Sequence, residues 1–174
     1  GGWLVIGNIT VEENAQDYID SLYVNHIRSS STIDQLDQTS SGKFMINPKQ
    51  FRNLLKVDGY DEIRVRCFKP WHQRIVDVVV YGNEAINDFI TESKKYDGLC
   101  SQIRYLPDDR SLIQNFYGCN QVLMWNGENY WDHFIYVDGK VHIILVEFNG
   151  RFECDDRFNM QGFEKKGNWI FYVR

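Results

Sequence analysis

Residues 134–154 read FIYVDGKVHIILVEFNGRFEC, and this stretch decides the fold class. Two dipeptides, Asp138-Gly139 and Asn149-Gly150, divide it into three apolar segments. Both dipeptides are preferred in two-residue type I′ turns, which join neighbouring antiparallel strands. The pattern therefore predicts a three-stranded antiparallel meander. Its predicted strands cover residues 134–137, 141–146 and 151–154.

Further strand patterns occur in the first half of the chain and at its C-terminal end. Residues 63–68 alternate apolar with polar or large side chains, and residues 75–81 are almost continuously apolar, which predicts a hairpin closed by residues 69–73. Residues 3–7 indicate a short buried strand. Residues 168–174 alternate polar and aromatic side chains, so we expect a strand beside a neighbour from the N-terminal half.

Four segments carry helix start signals, in which a side-chain oxygen can accept from a free backbone N–H of the first turn. The expected N-cap residues are Thr10, Asn47, Asn83 and Asp108. Residues 29–42 are mainly Ser, Thr, Asp, Gln and Gly, which predicts an exposed loop. Together the patterns predict one α+β globular domain over residues 1–174, with an antiparallel β-sheet or sandwich and three to four short helices.

The composition disfavours several classes of partner. With 19 basic and 24 acidic residues the net charge is -5, and no basic stretch stands out that would attract nucleic acid or an anionic membrane. The chain has no apolar run near the roughly 20 residues that span a bilayer. Gly1-Gly2-Trp3 lacks the charged and apolar regions of a signal peptide, which is typical of a mature or trimmed chain.

The four cysteines permit two disulfide bonds, although four free thiols of a cytosolic protein are an equal alternative on the count alone. The sequon Asn8-Ile9-Thr10 favours the oxidising secretory pathway, where Asn8 would carry a glycan in a surface turn. Zinc is disfavoured because no closely spaced C-x-x-C pair occurs. We expect a secreted protein with both pairs oxidised. The preferred pairs are Cys67 with Cys154 and Cys100 with Cys119.

Residues 125–133 combine aromatic rings with amides and carboxylates. Such side chains can stack on a sugar ring and hydrogen-bond its hydroxyls, and they also suit a protein-binding patch. The alternative is that Trp125 and Trp131 fill the core while Asn126-Gly127 makes a tight hairpin turn. The candidate ligand-binding residues are Trp71, His72, Trp125, Asn126, Glu128, Asn129, Tyr130, Trp131, Asp132 and His133.

Catalysis and metal binding are less well supported by the sequence. No known nucleophile, metalloprotease or nucleotide-binding motif is present, and His72 and His133 are the histidines best placed for general base catalysis. Asp155 and Asp156 could supply oxygen ligands to calcium, although a solvated turn explains them more simply. We assign no catalytic residue.

Three segments of the chain resemble stretches of secreted modules from invertebrate extracellular and matrix proteins. They are residues 66–72 (RCFKPWH), 152–156 (FECDD) and 167–174 (GNWIFYVR). The resemblance covers the chain from about Arg66 to its end and involves no motif of known chemistry. It implies an extracellular location and a non-catalytic role.

The leading interpretation is a secreted recognition or matrix module that binds carbohydrate or another extracellular protein through aromatic loops. These loops lie near Trp71 and between Trp125 and His133. A secreted enzyme that uses His72 or His133 is the second interpretation. A structural or toxin-like assembly protein is the third.

Overall fold

The structure is a computed structural model. It describes residues 2–12, 32–91, 98–114, 123–125, 135–137, 141–143, 152–157 and 165–174. The described strands are β1 (Leu4–Val11), β2 (Lys43–Met45), β3 (Glu62–Phe68), β4 (Ile75–Tyr81), β5 (Ile103–Tyr105), β6 (Leu123–Trp125), β7 (Ile135–Val137), β8 (Val141–Ile143), β9 (Asp156–Arg157) and β10 (Gly167–Val173). The described α-helices are α1 (Pro48–Lys56) and α2 (Asn83–Ile90). Two 3₁₀ helices cover Ile33–Ser41 and Leu99–Gln102.

The strands form two antiparallel sheets. The larger sheet has the order β2-β1-β10-β3-β4-β5 and the smaller one β6-β7-β8-β9. Every described strand pair is antiparallel. Antiparallel sheets together with short helices agree with the predicted α+β class.

The C-terminal strand β10 is central to the larger sheet. It pairs with β1 on one side and β3 on the other, so the predicted pairing with the N-terminal half is confirmed. Because side chains alternate between the two faces of a strand, Trp169, Phe171 and Val173 are all directed into the core while their neighbours are half-buried.

The predicted hairpin of β3 and β4 is also confirmed. Phe68 and Ile75 face each other at the last pair before the connecting residues 69–74. In β3 every second residue from Ile63 to Cys67 is buried, and the arginines between them and Phe68 are half-buried, as the alternation predicts.

The two α-helices contact each other, and their buried side chains belong to the same core cluster as those of the larger sheet. Helix α1 begins as predicted, because the Asn47 side chain accepts from the backbone N–H of Gln50 at 2.9 Å and Pro48 occupies the first helical position. Helix α2 begins one residue earlier than predicted, since Gly82 is the N-cap, in a left-handed conformation with φ 93°. Rings of Phe51 and Phe89, 4.7 Å apart, join the two helices.

Other expectations from the sequence were wrong or concern residues outside the described ranges. The loop expected at residues 29–42 contains the 3₁₀ helix Ile33–Ser41, which Gly42 ends at φ 67°. Asp108 is exposed in a turn, and the neighbouring Asp109 is the residue whose side chain accepts from a backbone N–H, that of Ser111. Thr10 lies inside β1, and residues 13–31, where the first helix is expected, are outside the described residues.

The meander is confirmed in its first two strands and wrong in its third. Strands β7 and β8 pair as predicted, but the partner of β8 is β9, and the chain bends at Cys154 and Asp155. The reason is that the carbonyls of Phe152 and Glu153 accept hydrogen bonds from side chains. These bonds take the place of backbone hydrogen bonds to a neighbouring strand. Trp125 pairs with Ile135, and Asn126-Gly127, the alternative tight turn, lies outside the described residues.

A search of the described helices found none with the length and apolar character needed to cross a membrane.

Candidate functional site

A disulfide bond joins the larger sheet to the segment formed by residues 152–157. Cys67 at the end of β3 is bonded to Cys154 with an S–S distance of 2.04 Å, which confirms this predicted pair. Cys100 is also disulfide-bonded. Its expected partner Cys119 lies outside the described residues.

The loop of residues 69–74, which we call the 69–74 loop, is anchored to the same segment by buried charges. Lys69 Nζ lies 2.6 Å from Asp156 Oδ2 and donates to the carbonyl of Phe152 at 2.8 Å. The side chains of Lys69 and Asp156 are each only 1% exposed. A buried pair of this kind needs its remaining hydrogen bonds satisfied, and the backbone N–H of Cys154 supplies one to Asp156 Oδ2 at 3.0 Å.

A second ion pair anchors the other end of the loop. Arg74 donates through Nε to Asp155 Oδ2 at 2.5 Å and through a terminal nitrogen to the Asp155 carbonyl at 2.8 Å. The Asp155 carboxylate also accepts from the backbone N–H of Leu112 at 3.0 Å. Burial raises the pKa of Asp155 to about 7, although the bonds to Leu112 and Arg74 act in the opposite direction. The left-handed φ of 58° at Asp155 turns both acids inward from adjacent positions.

His72 is fixed between these two ion pairs. Its Nδ1 accepts from the backbone N–H of Arg74 at 3.0 Å, and its Nε2 lies 2.9 Å from the Cys154 carbonyl. A neutral ring that carries its proton on Nε2 satisfies both bonds. Burial, followed by the charges of Arg74 and Lys69, lowers the pKa of His72 to about 4. The imidazole is therefore neutral near pH 7 and has no free nitrogen for a substrate proton.

We call Lys69, His72, Arg74, Asp155 and Asp156 the buried cluster. Asp109 lies beside this cluster and is hydrogen-bonded to the larger sheet. It accepts from the backbone N–H of Asp77 at 2.8 Å and from the Ser111 hydroxyl at 2.7 Å. Burial raises the pKa of the Asp109 carboxyl above its usual value. Asp77 in turn makes a bidentate ion pair with Arg64, with both distances 2.7 Å.

Trp71 stands out from this buried surrounding because it is 41% exposed. Its ring centroid lies 5.0 Å from that of His72, whose side chain is only 3% exposed. Gln73, the other loop residue with an exposed side chain next to His72, has a left-handed φ of 56°. The 69–74 loop thus exposes one large aromatic side chain to solvent. Three other side chains of the same loop are buried or half-buried, and their bonds to residues 152–156 hold the loop in place.

In comparisons with known proteins, no family model, curated protein or solved structure matches this chain. Its function must therefore be argued from its own residues.

Asp155 and Asp156, the predicted calcium ligands, do not lie in a solvated turn. Asp155 and Asp156 are buried, not solvated, and each carboxylate already contacts a basic side chain. In the described part of the chain no group of three or more possible ligands could hold a metal ion. A calcium ion, which takes six to eight oxygen ligands, would have to displace Arg74 and Lys69, and its binding here stays a prediction.

Most of the other predicted site residues lie between Trp125 and His133. The backbone of Trp125 ends β6, and the remaining candidates between Trp125 and His133 lie outside the described residues. Of the predicted ligand-binding residues, only Trp71 and His72 are described in full.

Asn8, the predicted glycosylation site, lies within β1 and not in the surface turn that was expected. It pairs with Ile170 and Phe44 on the two neighbouring strands. Its Oδ1 accepts from Asn168 Nδ2 at 2.8 Å. Its side chain is half-buried, and its glycosylation stays a prediction.

Sequence reasoning missed Lys69 and Arg74, whose side chains anchor the 69–74 loop to Asp156 and Asp155. One signal was present, since three basic or potentially basic residues occur within the six-residue connection and two adjacent acids follow a cysteine. These two segments are far apart in the chain, and the disulfide Cys67–Cys154 and the two ion pairs bring them together in the folded protein.

Replacement of His72 by glutamine tests its buried neutral state. His72 has a folded pKa of about 4, below its ordinary value of 6.5, so its contribution to stability is complete above pH 6.5 and is lost as the pH falls toward 4. The wild-type protein should therefore lose up to about 3 kcal/mol relative to His72→Gln over this window. Urea unfolding of both proteins between pH 7 and 4 measures the difference.

Asp155 makes an opposing contribution to the pH dependence of the unfolding free energy. This contribution cancels when the wild-type protein is compared with His72→Gln. The pKa of Asp155 is raised from 3.8 to about 7, so its contribution is present below about pH 3.8 and is lost as the pH rises through 7, in both chains alike. A stability difference that stays constant over this pH range would contradict the neutral, buried state of His72.

Proposed function

We propose that this protein is a secreted recognition module that binds carbohydrate through the 69–74 loop, with Trp71 as the stacking platform. The observation that carries the proposal is the exposure of Trp71, at 41%, on a loop whose flanking side chains Lys69 and His72 are almost completely buried. A rigid loop loses little conformational entropy on binding, so an exposed aromatic ring on it is an effective recognition element.

Carbohydrate is favoured over a protein partner by the surroundings of Trp71. Among the described residues the exposed large hydrophobic side chains are Ile33, Val57 and Trp71, and Trp71 is the aromatic one. Protein interfaces usually surround an anchor tryptophan with other buried contacts. A sugar ring needs one flat apolar face and nearby polar groups, which Trp71 and the exposed Gln73 amide can supply.

The disulfide supports the extracellular part of the proposal. Disulfide bonds such as Cys67–Cys154 persist in oxidising compartments and are uncommon in the cytosol. The aromatic segment between Trp125 and His133 remains a second proposed contact region. The enzyme interpretation gains no support from His72, because both of its ring nitrogens are hydrogen-bonded within the protein.

A glycan array followed by calorimetry tests the proposal. Trp71→Ala should weaken binding of the best glycan roughly 10- to 30-fold, which is the loss expected for an anchor tryptophan. The melting temperature should change little, because substitution of an exposed side chain costs within about 0.5 kcal/mol.

Val57→Ala is the matched control, since Val57 is an apolar residue that is 74% exposed at the end of α1. It should bind like the wild-type protein. Equal affinity of Trp71→Ala and wild type would remove Trp71 from the site. Failure of the wild-type protein to bind any glycan would contradict carbohydrate as the ligand and favour a protein partner.

A further inference from the structure

The ion pair between Lys69 and Asp156 is almost completely buried, whereas ordinary ion pairs lie at the protein surface. Both side chains are 1% exposed, and they come from segments that are 87 residues apart in the chain. Lys69 Nζ and Asp156 Oδ2 are separated by 2.6 Å. Complete burial of both charges is costly, and lysine is almost never this buried unless it is paired.

The Asp156 carboxylate is only partly satisfied as an anion. Its Oδ2 accepts from Lys69 and from the Cys154 backbone, whereas its buried Oδ1 has no hydrogen-bond partner in the described part of the chain. The nitrogen Nε2 of His72 is 3.7 Å from Oδ1, beyond hydrogen-bond distance. An ionised carboxylate with one oxygen unsatisfied is unfavourable in such a place.

The surroundings favour the uncharged form of the acid. Burial raises the pKa of the Asp156 carboxyl and the charge of the neighbouring Glu153 acts in the same direction, while Lys69 and the Cys154 N–H act against them. Transfer of one ammonium proton along the existing hydrogen bond would leave an amine next to a carboxylic acid. An amine and a carboxylic acid are the two reactants of amide formation.

The two groups are also held in place before any reaction. The disulfide between Cys67 and Cys154 begins two residues before each of them, and the loop is fixed further by Arg74 and Asp155. Reactants fixed in this way reach very high effective concentrations, which can replace an external activating group.

We propose that Lys69 and Asp156 form an intramolecular isopeptide bond in the folded protein. In this reaction the Lys69 nitrogen Nζ attacks Asp156 Cγ, the Nζ–Cγ bond forms and one Cγ–O bond breaks. The departing oxygen leaves as water with two of the three ammonium protons, and the third proton stays on the amide nitrogen. No oxidation or reduction occurs and no co-reactant is needed. The product replaces two buried charges by one neutral amide.

This proposal is independent of the proposed carbohydrate binding, since it concerns covalent structure and not a ligand. Its consequence is a second covalent link between the end of β3 and the segment 152–157, beside the disulfide. Such a link would keep the 69–74 loop in place under reducing or proteolytic conditions.

The intact mass of wild-type protein that has been folded and then denatured, fully reduced and alkylated decides the question. The expected mass is about 18 Da, one water, below the mass calculated for the sequence with all of its cysteines alkylated. Trypsin can cleave after Arg66 and Arg74 and after Arg151 and Arg157. Peptides 67–74 and 152–157 should therefore remain joined after the disulfide is reduced. An unchanged mass together with separate peptides would overturn the proposal and leave a plain ion pair.

Variants assign the bond to these two residues. Lys69→Arg, which keeps a cation but removes the reactive amine, and Asp156→Ala should both have the full mass of their alkylated sequences. Asp108→Ala is the control, because Asp108 is an exposed acid outside the loop and its anchors, and it should still lose one water. Asp156→Asn can form the same amide by loss of ammonia. Loss of water that persists in Lys69→Arg would place the bond at other residues and contradict the proposal.

Discussion

Replacement of both Cys67 and Cys154 by alanine is expected to lower the free energy of unfolding by about 4 kcal/mol when the chain also carries Lys69→Arg. The disulfide closes a loop with a sequence separation of 87 residues, and the unfolded chain gains the entropy of that loop when the bond is removed. The Lys69→Arg background is used because it cannot form the proposed amide. Urea unfolding with and without the two cysteine replacements measures the change.

The same pair of replacements should have a smaller effect in a chain that retains Lys69. If Lys69 and Asp156 are joined, the amide already closes almost the same loop, so the disulfide closes a further loop of only about six residues and adds about 2 kcal/mol. Equal losses of about 4 kcal/mol in both backgrounds would show that no second covalent link exists. A loss below about 1 kcal/mol in the Lys69→Arg background would contradict the entropic role of the disulfide.

Replacement of Trp169 by alanine should cost about 3 to 5 kcal/mol. Trp169 is fully buried, it lies in the central strand β10, and its ring centroid is 5.8 Å from that of Phe152. Its Nε1 donates to the Glu153 carbonyl at 2.9 Å, so the substitution removes both packing and a buried hydrogen bond. Thermal or urea unfolding measures the effect.

Trp71→Ala is the control for this prediction, because the same side chain is lost from an exposed position. Its unfolding free energy should stay within about 0.5 kcal/mol of the wild-type value. Similar losses in the two variants would contradict the assignment of Trp169 to the core and Trp71 to the surface.

Trp71 and Trp169 also show where interpretation of the sequence reached its limit. Each tryptophan follows or lies within a strand pattern, and the residues around each one do not distinguish a core position from an exposed one. The alternation in residues 168–174 predicted a strand, but the neighbours β1 and β3 that bury Trp169 are remote in sequence. For the same reason, the candidate residues between Trp125 and His133 could not be assigned to core or site from the sequence.

The sequence by itself determined the features that depend on nearby residues. The alternation in β3, the N-cap at Asn47 and the pairing of β7 with β8 each involve residues only a few positions apart, so their patterns are local. The antiparallel class followed from the short connections between strands.

Only the tertiary structure decided the environment of the charged residues. Asp155 and Asp156 were expected in a solvated turn, yet their cationic partners Arg74 and Lys69 are 81 and 87 residues away in the chain. Whether a charge can be buried depends on such a partner, because desolvation is offset only by a specific contact in space. No local pattern records that contact, and it is what converts two adjacent acids and a short basic loop into a buried cluster that presents Trp71.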